Sequence, residues 1–370
     1  VKLSRFSTFA GVALAGALAL SACGSDQAVD PEGGGAAAKG ADCVDGGGTL
    51  SGAGASSQEN GMAAWVAAYT GACEGTTVNY DAVGSGAGRS QFTDGSVAFA
   101  GSDSSLDEDE TKAATERCGS EVVNLPAYIS PIAVAFNLDG VDKLNLKPDV
   151  IAQIFDQKIT KWNDEKIAAD NPDADLPDTE IVPVNRSDES GTTENFVSYL
   201  SEAAGDSWKH EVSGDWPVKG GEAAQGSSGV VSAIEGGTGT IGYVDASHAK
   251  DLGTVAVGAG EEFVEYSPEA AAKIVDASPA REANTENDHA IELDYKTDEA
   301  GAYPIVLVSY EVACMEYEEQ SDADLVKSFL GYVISEEGQK VSADEAGSAP
   351  ISDALREKIQ GSLDKIKAGA

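Results

Sequence analysis

Short apolar runs and helical stripes of apolar residues alternate along this chain, and the alternation predicts repeated β-loop-α units. Thr49 and Leu50 open a strand-like segment that passes into Ser51-Gly-Ala-Gly-Ala-Ser56-Ser57. Met62, Trp65, Val66 and Tyr69 follow at helical spacing. Residues 77–80 read as a strand, 84–88 as a glycine-rich turn into a helix, and 97–100 as a further strand. A long apolar run covers 122–136, and helical patterns follow at 148–155 and near 165–169, with Ile159 to Trp162 between them. A strand at 181–184 feeds directly into Asn185-Arg-Ser-Asp-Glu-Ser-Gly-Thr-Thr193, and 194–200 read as a helix with Phe196, Val197 and Leu200 on one face. The glycine-rich stretch 220–229 opens another helix, 240–244 and 303–313 are strand-like, and Leu325, Val326, Phe329, Leu330 and Val333 mark a late helix. Strands alternating with helices predict an α/β fold with a parallel sheet covered by helices.

The first residues have a different pattern. Lys2 and Arg5 precede an apolar run from Phe9 to Leu20, which ends in Leu20-Ser21-Ala22-Cys23. A bilayer span needs about 20 apolar residues, so residues 1–22 read as a secretory signal peptide. The cysteine at the cleavage point makes it a lipobox, with Cys23 acylated and the mature chain tethered to the outer face of a membrane. Residues 23–48 are mostly Gly, Ala, Asp and Pro and read as a flexible tether.

Charge narrows the possible partners. The formal net charge is −39, spread along the chain. Such a field repels nucleic acid, and any anion site must gather local positive potential against it. Cys43, Cys73, Cys118 and Cys314 remain after Cys23, with no C-x-x-C spacing, and His210, His248 and His289 are widely separated. That pattern suits neither zinc nor thioredoxin-like chemistry. An even cysteine count in an exported chain implies two disulfides, with three connectivities open. The scattered histidines assemble no nucleophile–base pair. Gly84 to Gly88 is not a nucleophile elbow, because Val83 stands where glycine is needed, and no Gly-Lys-Ser/Thr follows to make a Walker A loop.

Three segments instead share one design, a strand ending in small residues and hydroxyls with a helix close behind. They are Ala55-Ser56-Ser57, Gly84-Ser85-Gly-Ala-Gly88 and Ser190-Gly191-Thr192. A helix start offers unpaired N–H groups and the positive end of the macrodipole, so several converging starts make a site for a tetrahedral oxyanion. Arg186 adds a two-pronged donor that Asp188 can orient. Asp103 follows another strand end. A carboxylate beside an anion repels it unless the anion carries a proton to donate, as phosphate does at neutral pH and sulfate does not.

Taken in order, Ser51-Gly-Ala-Gly-Ala-Ser56, Val83-Gly-Ser-Gly-Ala-Gly88, Ala100-Gly-Ser-Asp103 and Asn185-Arg-Ser-Asp-Glu-Ser-Gly-Thr192 resemble the phosphate-binding subunit of the Pst-type phosphate ABC importer. Ile159-Thr-Lys-Trp-Asn-Asp164 and Gly239-Thr-Ile-Gly-Tyr243-Val match connecting segments of that family, and lipoprotein members from actinobacteria are the most alike. The resemblance runs from about Thr49 to the C-terminus. It implies the two-lobed periplasmic-binding-protein fold (type II) with the ligand in the interlobe cleft. Lobe I would span 49–128 and 303–370, and lobe II 129–302.

Position by position, the resemblance implies that phosphate is held by Ser56 and Ser57 (hydroxyl or backbone N–H), the Ser85 hydroxyl, Arg186, Ser190, Gly191 and Thr192. Asp103 would accept the phosphate proton, and Asp188 would pair with Arg186. Two departures stand out: Ser57 where an aromatic is common, and Gly226-Ser-Ser-Gly229 in place of the more usual Gly-Asn-Asp-Gly. The implied function is capture of inorganic phosphate and its delivery to the membrane subunits of an ABC permease, with no enzyme activity, cofactor or metal. A binding protein for sulfate or molybdate, a surface phosphate sensor and a secreted phosphatase are the rivals. The family's topology, with neighbouring first strands and an antiparallel pair of long ones, implies disulfides Cys43–Cys73 and Cys118–Cys314.

Overall fold

The apolar run at 122–136 forms a sixteen-residue strand, Val122–Asn137, buried at every position but the last. The computed structural model describes residues 41–297 and 299–369. The expected leader (1–22), the lipidation site Cys23 and residues 23–40 of the expected tether lie outside the described residues.

In chain order the elements begin with β1 (Gly48–Gly54), α1 (Glu59–Ala72), β2 (Thr76–Asp81), α2 (Ser85–Thr93), β3 (Phe99–Ser102) and α3 (Glu108–Cys118). The long strand is β4 (Val122–Asn137). After it come β5 (Lys143–Leu146), α4 (Pro148–Phe155), α5 (Glu165–Asp170), β6 (Val182–Arg186), α6 (Gly191–Ala203), β7 (Glu222–Ala224) and α7 (Gly226–Gly236). Next are β8 (Thr240–Asp245), β9 (Gly253–Ala259), β10 (Glu262–Val264) and α8 (Pro268–Ala277). The last elements are β11 (Val306–Cys314), β12 (Glu316–Tyr317), α9 (Gln320–Ile334), α10 (Glu336–Ala346), α11 (Asp353–Leu363) and β13 (Lys367–Ala368).

Strand pairing falls into two groups joined by β4. In the first, β2, β1 and β3 run parallel, and β11 lies antiparallel between β3 and β4. Residues 122–131 of β4 pair with β11, and residues 132–137 pair with β8, which continues parallel through β6 to β7. The second group also holds β9, which pairs with β4, β5 and β10. Central strands covered on both faces need continuous apolar runs whatever their direction, and β4, β8 and β11, each paired on both edges, are buried almost throughout.

Helices cover the sheet through the stripes expected of them. Met62, Trp65 and Tyr69 of α1 are buried, and the Trp65 Nε1–H donates to the Gly338 carbonyl at 2.7 Å, tying α1 to α10. Leu325, Val326, Phe329, Leu330 and Val333 of α9 are buried. Full burial of a side chain of this size stabilises by about 1.5–3 kcal/mol. In α3, Asp107 and Glu110 form a capping box and Gly119 closes the helix in a left-handed conformation.

Some boundaries differ from the sequence reading. Ser51-Gly-Ala-Gly54 is strand, since the backbone of β1 is bonded on both sides, to β2 and to β3. The strand expected at 97–100 lies at Phe99–Ser102, in register with β1. Residues 41–48, placed in the tether, are held to the body. Cys43 is bridged to Cys73, Ala41 and Val44 pack on the core, and the Ser328 hydroxyl donates to the Asp42 carbonyl. The second disulfide joins Cys118 to Cys314, beside the antiparallel register that sets Val122 opposite Cys314.

Candidate functional site

The carboxyl ends of β1, β3 and β6 meet, as open α/β sheets place their ligand crevices. Ser56 and Ser57 occupy the turn between β1 and α1. Ser85 is the first residue of α2, Asp103 follows β3, Arg186 is the last residue of β6, and Gly191 and Thr192 open α6 behind the N-cap Ser190. These side chains are buried.

Asp103 is the hub. The Ser57 hydroxyl donates to its Oδ1 at 2.6 Å and the Thr192 hydroxyl to its Oδ2 at 2.9 Å. Its backbone N–H donates to the Ser85 hydroxyl at 3.2 Å, and its carbonyl accepts from Asn195 at 2.8 Å. Burial raises the Asp103 carboxyl; the hydroxyls of Ser57 and Thr192 pull it back only in part. Gly191 is required here: a Cβ at that position would lie 2.7 Å from the Asp103 Cβ and 2.9 Å from the Ser85 Oγ.

Arg186 forms the opposite wall. Its Nε donates to Asp188 Oδ1 at 2.8 Å, and a second guanidinium nitrogen pairs with Oδ2. Burial alone would raise the Asp188 carboxyl, but Arg186 and the Gly226 N–H hold it below its ordinary range. The Tyr243 hydroxyl accepts from the Arg186 backbone N–H at 3.3 Å and exchanges a 2.7 Å bond with Thr193. A Cβ on Gly84 would lie 2.6 Å from Asp188 Oδ2, so the start of α2 faces this ion pair directly. The Ser190 hydroxyl accepts from the Thr193 N–H at 3.3 Å and caps α6.

A fourth helix start joins the three expected ones. The Gly226 N–H donates to Asp188 Oδ1 at 3.1 Å and the Ser227 N–H to Ser56 Oγ at 3.0 Å. Gly226-Ser-Ser-Gly229 thus holds Asp188 and Ser56 in place by backbone donors. The constellation gathers hydroxyls, helix N-termini and one buried guanidinium around a buried carboxylate. Chemically, it can take a tetrahedral oxyanion that donates one hydrogen bond and accepts the rest.

A family model described as the PBP superfamily domain matches residues 31–337. The phosphate-binding protein PstS3 of Mycobacterium bovis (strain BCG) is 38% identical over 375 residues, covering 99% of this chain and 100% of the relative. The chain belongs to the PstS family. The phosphate-binding protein PstS of Xylella fastidiosa is 35% identical over 324 residues, 84% of each chain. Among solved structures, a high-affinity periplasmic phosphate-binding protein (PfluDING) bound with phosphate superposes with TM-score 0.70 at 20% identity, covering 85% of this chain and 93% of that one. A phosphate-binding protein from Stenotrophomonas maltophilia gives TM-score 0.66 at 20% identity, with the same coverages. The fold is therefore the periplasmic-binding-protein fold.

This PstS-family chain also carries site neighbours that sequence reasoning passed over. Asn195 donates to the Asp103 carbonyl, and its Oδ1 accepts from the Tyr295 hydroxyl at 2.6 Å. Arg89, four residues beyond Ser85 on α2, is buried. Its position just after the Gly84–Gly88 turn was the available signal. Glu189, inside the Arg186–Thr192 block, pairs with it.

Proposed function

We propose that this protein binds inorganic phosphate in its hydrogen-bearing form and delivers it to the membrane subunits of an ABC permease. The observation that carries the reading is Asp103. A carboxylate offers about four acceptor positions, and Ser57 and Thr192 occupy one on each oxygen. A P–O–H group can fill a third, whereas a fully ionised oxyanion would face lone pairs. The ligand shell is Ser56, Ser57, Ser85, Asp103, Arg186, Ser190, Gly191 and Thr192, with Asp188 fixing the guanidinium.

The proposed lobes are 49–128 with 303–370, and 129–302; the change of β4 partner from β11 to β8 between Pro131 and Ile132 supports a crossover a few residues past that boundary. Closure brings Asp103 and Ser85 against Arg186 and the start of α6. Support for a carrier rather than an enzyme comes from the relatives, which are named for phosphate binding. The anchor is the acyl group on Cys23, which keeps the body at the outer face of the membrane.

Isothermal titration with phosphate, arsenate and sulfate tests the site. Phosphate and arsenate should bind and compete, and sulfate should bind far more weakly. Asp103→Asn should weaken phosphate by about 1.5–3 kcal/mol, the worth of a hydrogen bond to a charged group. The same change should narrow the gap to sulfate, since an amide can donate to an ionised oxygen. Equal phosphate and sulfate affinity in the unsubstituted protein would sink the reading.

A further inference from the structure

Glu189 lies between Asp188 and Ser190 but takes no part in the cage described above. Its carboxylate reaches across to α2, where Oε1 accepts from an Arg89 terminal nitrogen at 3.2 Å. The two residues are 100 positions apart in sequence. Space for the carboxylate exists only because two neighbours lack side chains. A Cβ on Gly86 would fall 1.4 Å from Glu189 Oε2, and one on Gly214 would fall 2.1 Å from Oε1.

Arg89 is prepared for this contact from its own side. Its Nε donates to Glu110 Oε1 at 2.8 Å and its other terminal nitrogen to the Ser102 hydroxyl at 2.9 Å. Those bonds fix the guanidinium against α3 and β3, leaving one nitrogen aimed at Glu189. Arg89 stands one helical turn from Ser85, and Glu189 is flanked by Asp188, the partner of Arg186, and by Ser190, the α6 cap. A bond between them links the two walls of the cage through short, stiff segments. Two hydrogen bonds run alongside it: the Ser104 hydroxyl donates to a Glu194 carboxylate oxygen at 2.8 Å, and Asn195 donates to the Asp103 carbonyl.

We propose that Glu189 is the closure latch of the cleft, a positioning residue that holds the α2 wall on the Arg186 wall through Arg89 and the gap at Gly86. The proposal rests on the two-lobe phosphate reading and concerns how long the ligand stays rather than which ligand enters. A part-buried charge pair across an interface acts mainly on dissociation.

The test is stopped-flow measurement of phosphate association and dissociation in the full chain, with Glu189→Gln, Glu189→Gly, Gly86→Ala and the double variant Gly86→Ala/Glu189→Gly. Glu189→Gln should speed dissociation about tenfold while leaving association and the preference for phosphate over sulfate unchanged. Gly86→Ala should speed it as well, but on the Glu189→Gly background it should add nothing, because the carboxylate it obstructs is gone. Hydrogen exchange of the ligand-free protein supplies a readout that needs no phosphate. Amides of 85–89 and of 189–192 should both exchange faster in Glu189→Gln. Unchanged dissociation with unchanged exchange overturns the latch and leaves the phosphate reading standing. Failure of the unsubstituted protein to bind phosphate overturns that reading, and the exchange result still decides the latch.

Discussion

Asp245 and Glu311 are buried as deeply as Asp103, yet neither touches the cage. Asp245 ends β8, where its Oδ1 accepts from the Tyr128 hydroxyl at 3.1 Å and the Ser247 N–H at 2.9 Å. Burial lifts its carboxyl from 3.8 to about 6. The folded protein therefore holds this proton over a pH range in which the unfolded chain has lost it. Stability from Asp245 is complete below the lower value and is lost as pH rises through the upper one. The full difference amounts to about 3 kcal/mol. Asp245→Asn keeps an acceptor for Tyr128 and Ser247 without the charge. Its melting temperature should exceed the parent's at about pH 8, and the gain should shrink towards zero near pH 4. Melts across that range check it; a gain that stays undiminished in acid would contradict the assignment. The sequence made Arg186 and Asp188 legible because they sit in a dense polar block at a strand end. Glu311 and Arg89 were not legible. A single charge on a short helix does not reveal that Glu110 and Glu189, 21 and 100 positions away, will pair with it, and one inside an apolar strand such as 303–313 does not reveal that burial will raise its carboxyl.

At the scale of elements, periodicity located α4, β8 and α9, and the helix starts at Ser85 and Ser190 were readable from small residues at strand ends. The β9–β10 hairpin, α8, α10 and α11 were missed. Their stripes are short, and α10 and α11 are polar enough that tertiary contacts rather than pattern hold them. The topology behind the disulfides was legible only through the resemblance, because cysteine spacing alone allowed three pairings. Cys118–Cys314 closes a separation of 196 residues and Cys43–Cys73 one of 30. Loop entropy favours the longer closure, so Cys118→Ser/Cys314→Ser should cost about 2–4 kcal/mol and more than Cys43→Ser/Cys73→Ser. Urea unfolding of the two double variants tests the ranking, and the reverse order would contradict it. Phosphate affinity should be preserved in both, since neither bridge contacts the cage.

The whole molecule carries a net charge of −39 and is proposed to collect an anion. Its site does not achieve this with an excess of cations. Arg186 is opposed by Asp188, and Arg89 by Glu110 and Glu189. Positive potential comes instead from the helix starts and their N–H groups, which carry no formal charge to be neutralised. Attachment at Cys23 would then act on location alone. Cys23→Ala should move the protein from the membrane fraction to the medium while the released body binds phosphate as before; retention at the membrane would refute the anchor. The paired strands that link the two halves have an evolutionary consequence. Val306 lies opposite Pro131, so the chain leaves for the middle segment and returns from it at neighbouring points. A genetic exchange with breakpoints at these two places would replace the segment holding Arg186 and Glu189 while leaving Asp103, Ser57 and Arg89 untouched. Within such a lineage the residue proposed to read the ligand's proton and the one proposed to clamp its charge can be inherited from different parents.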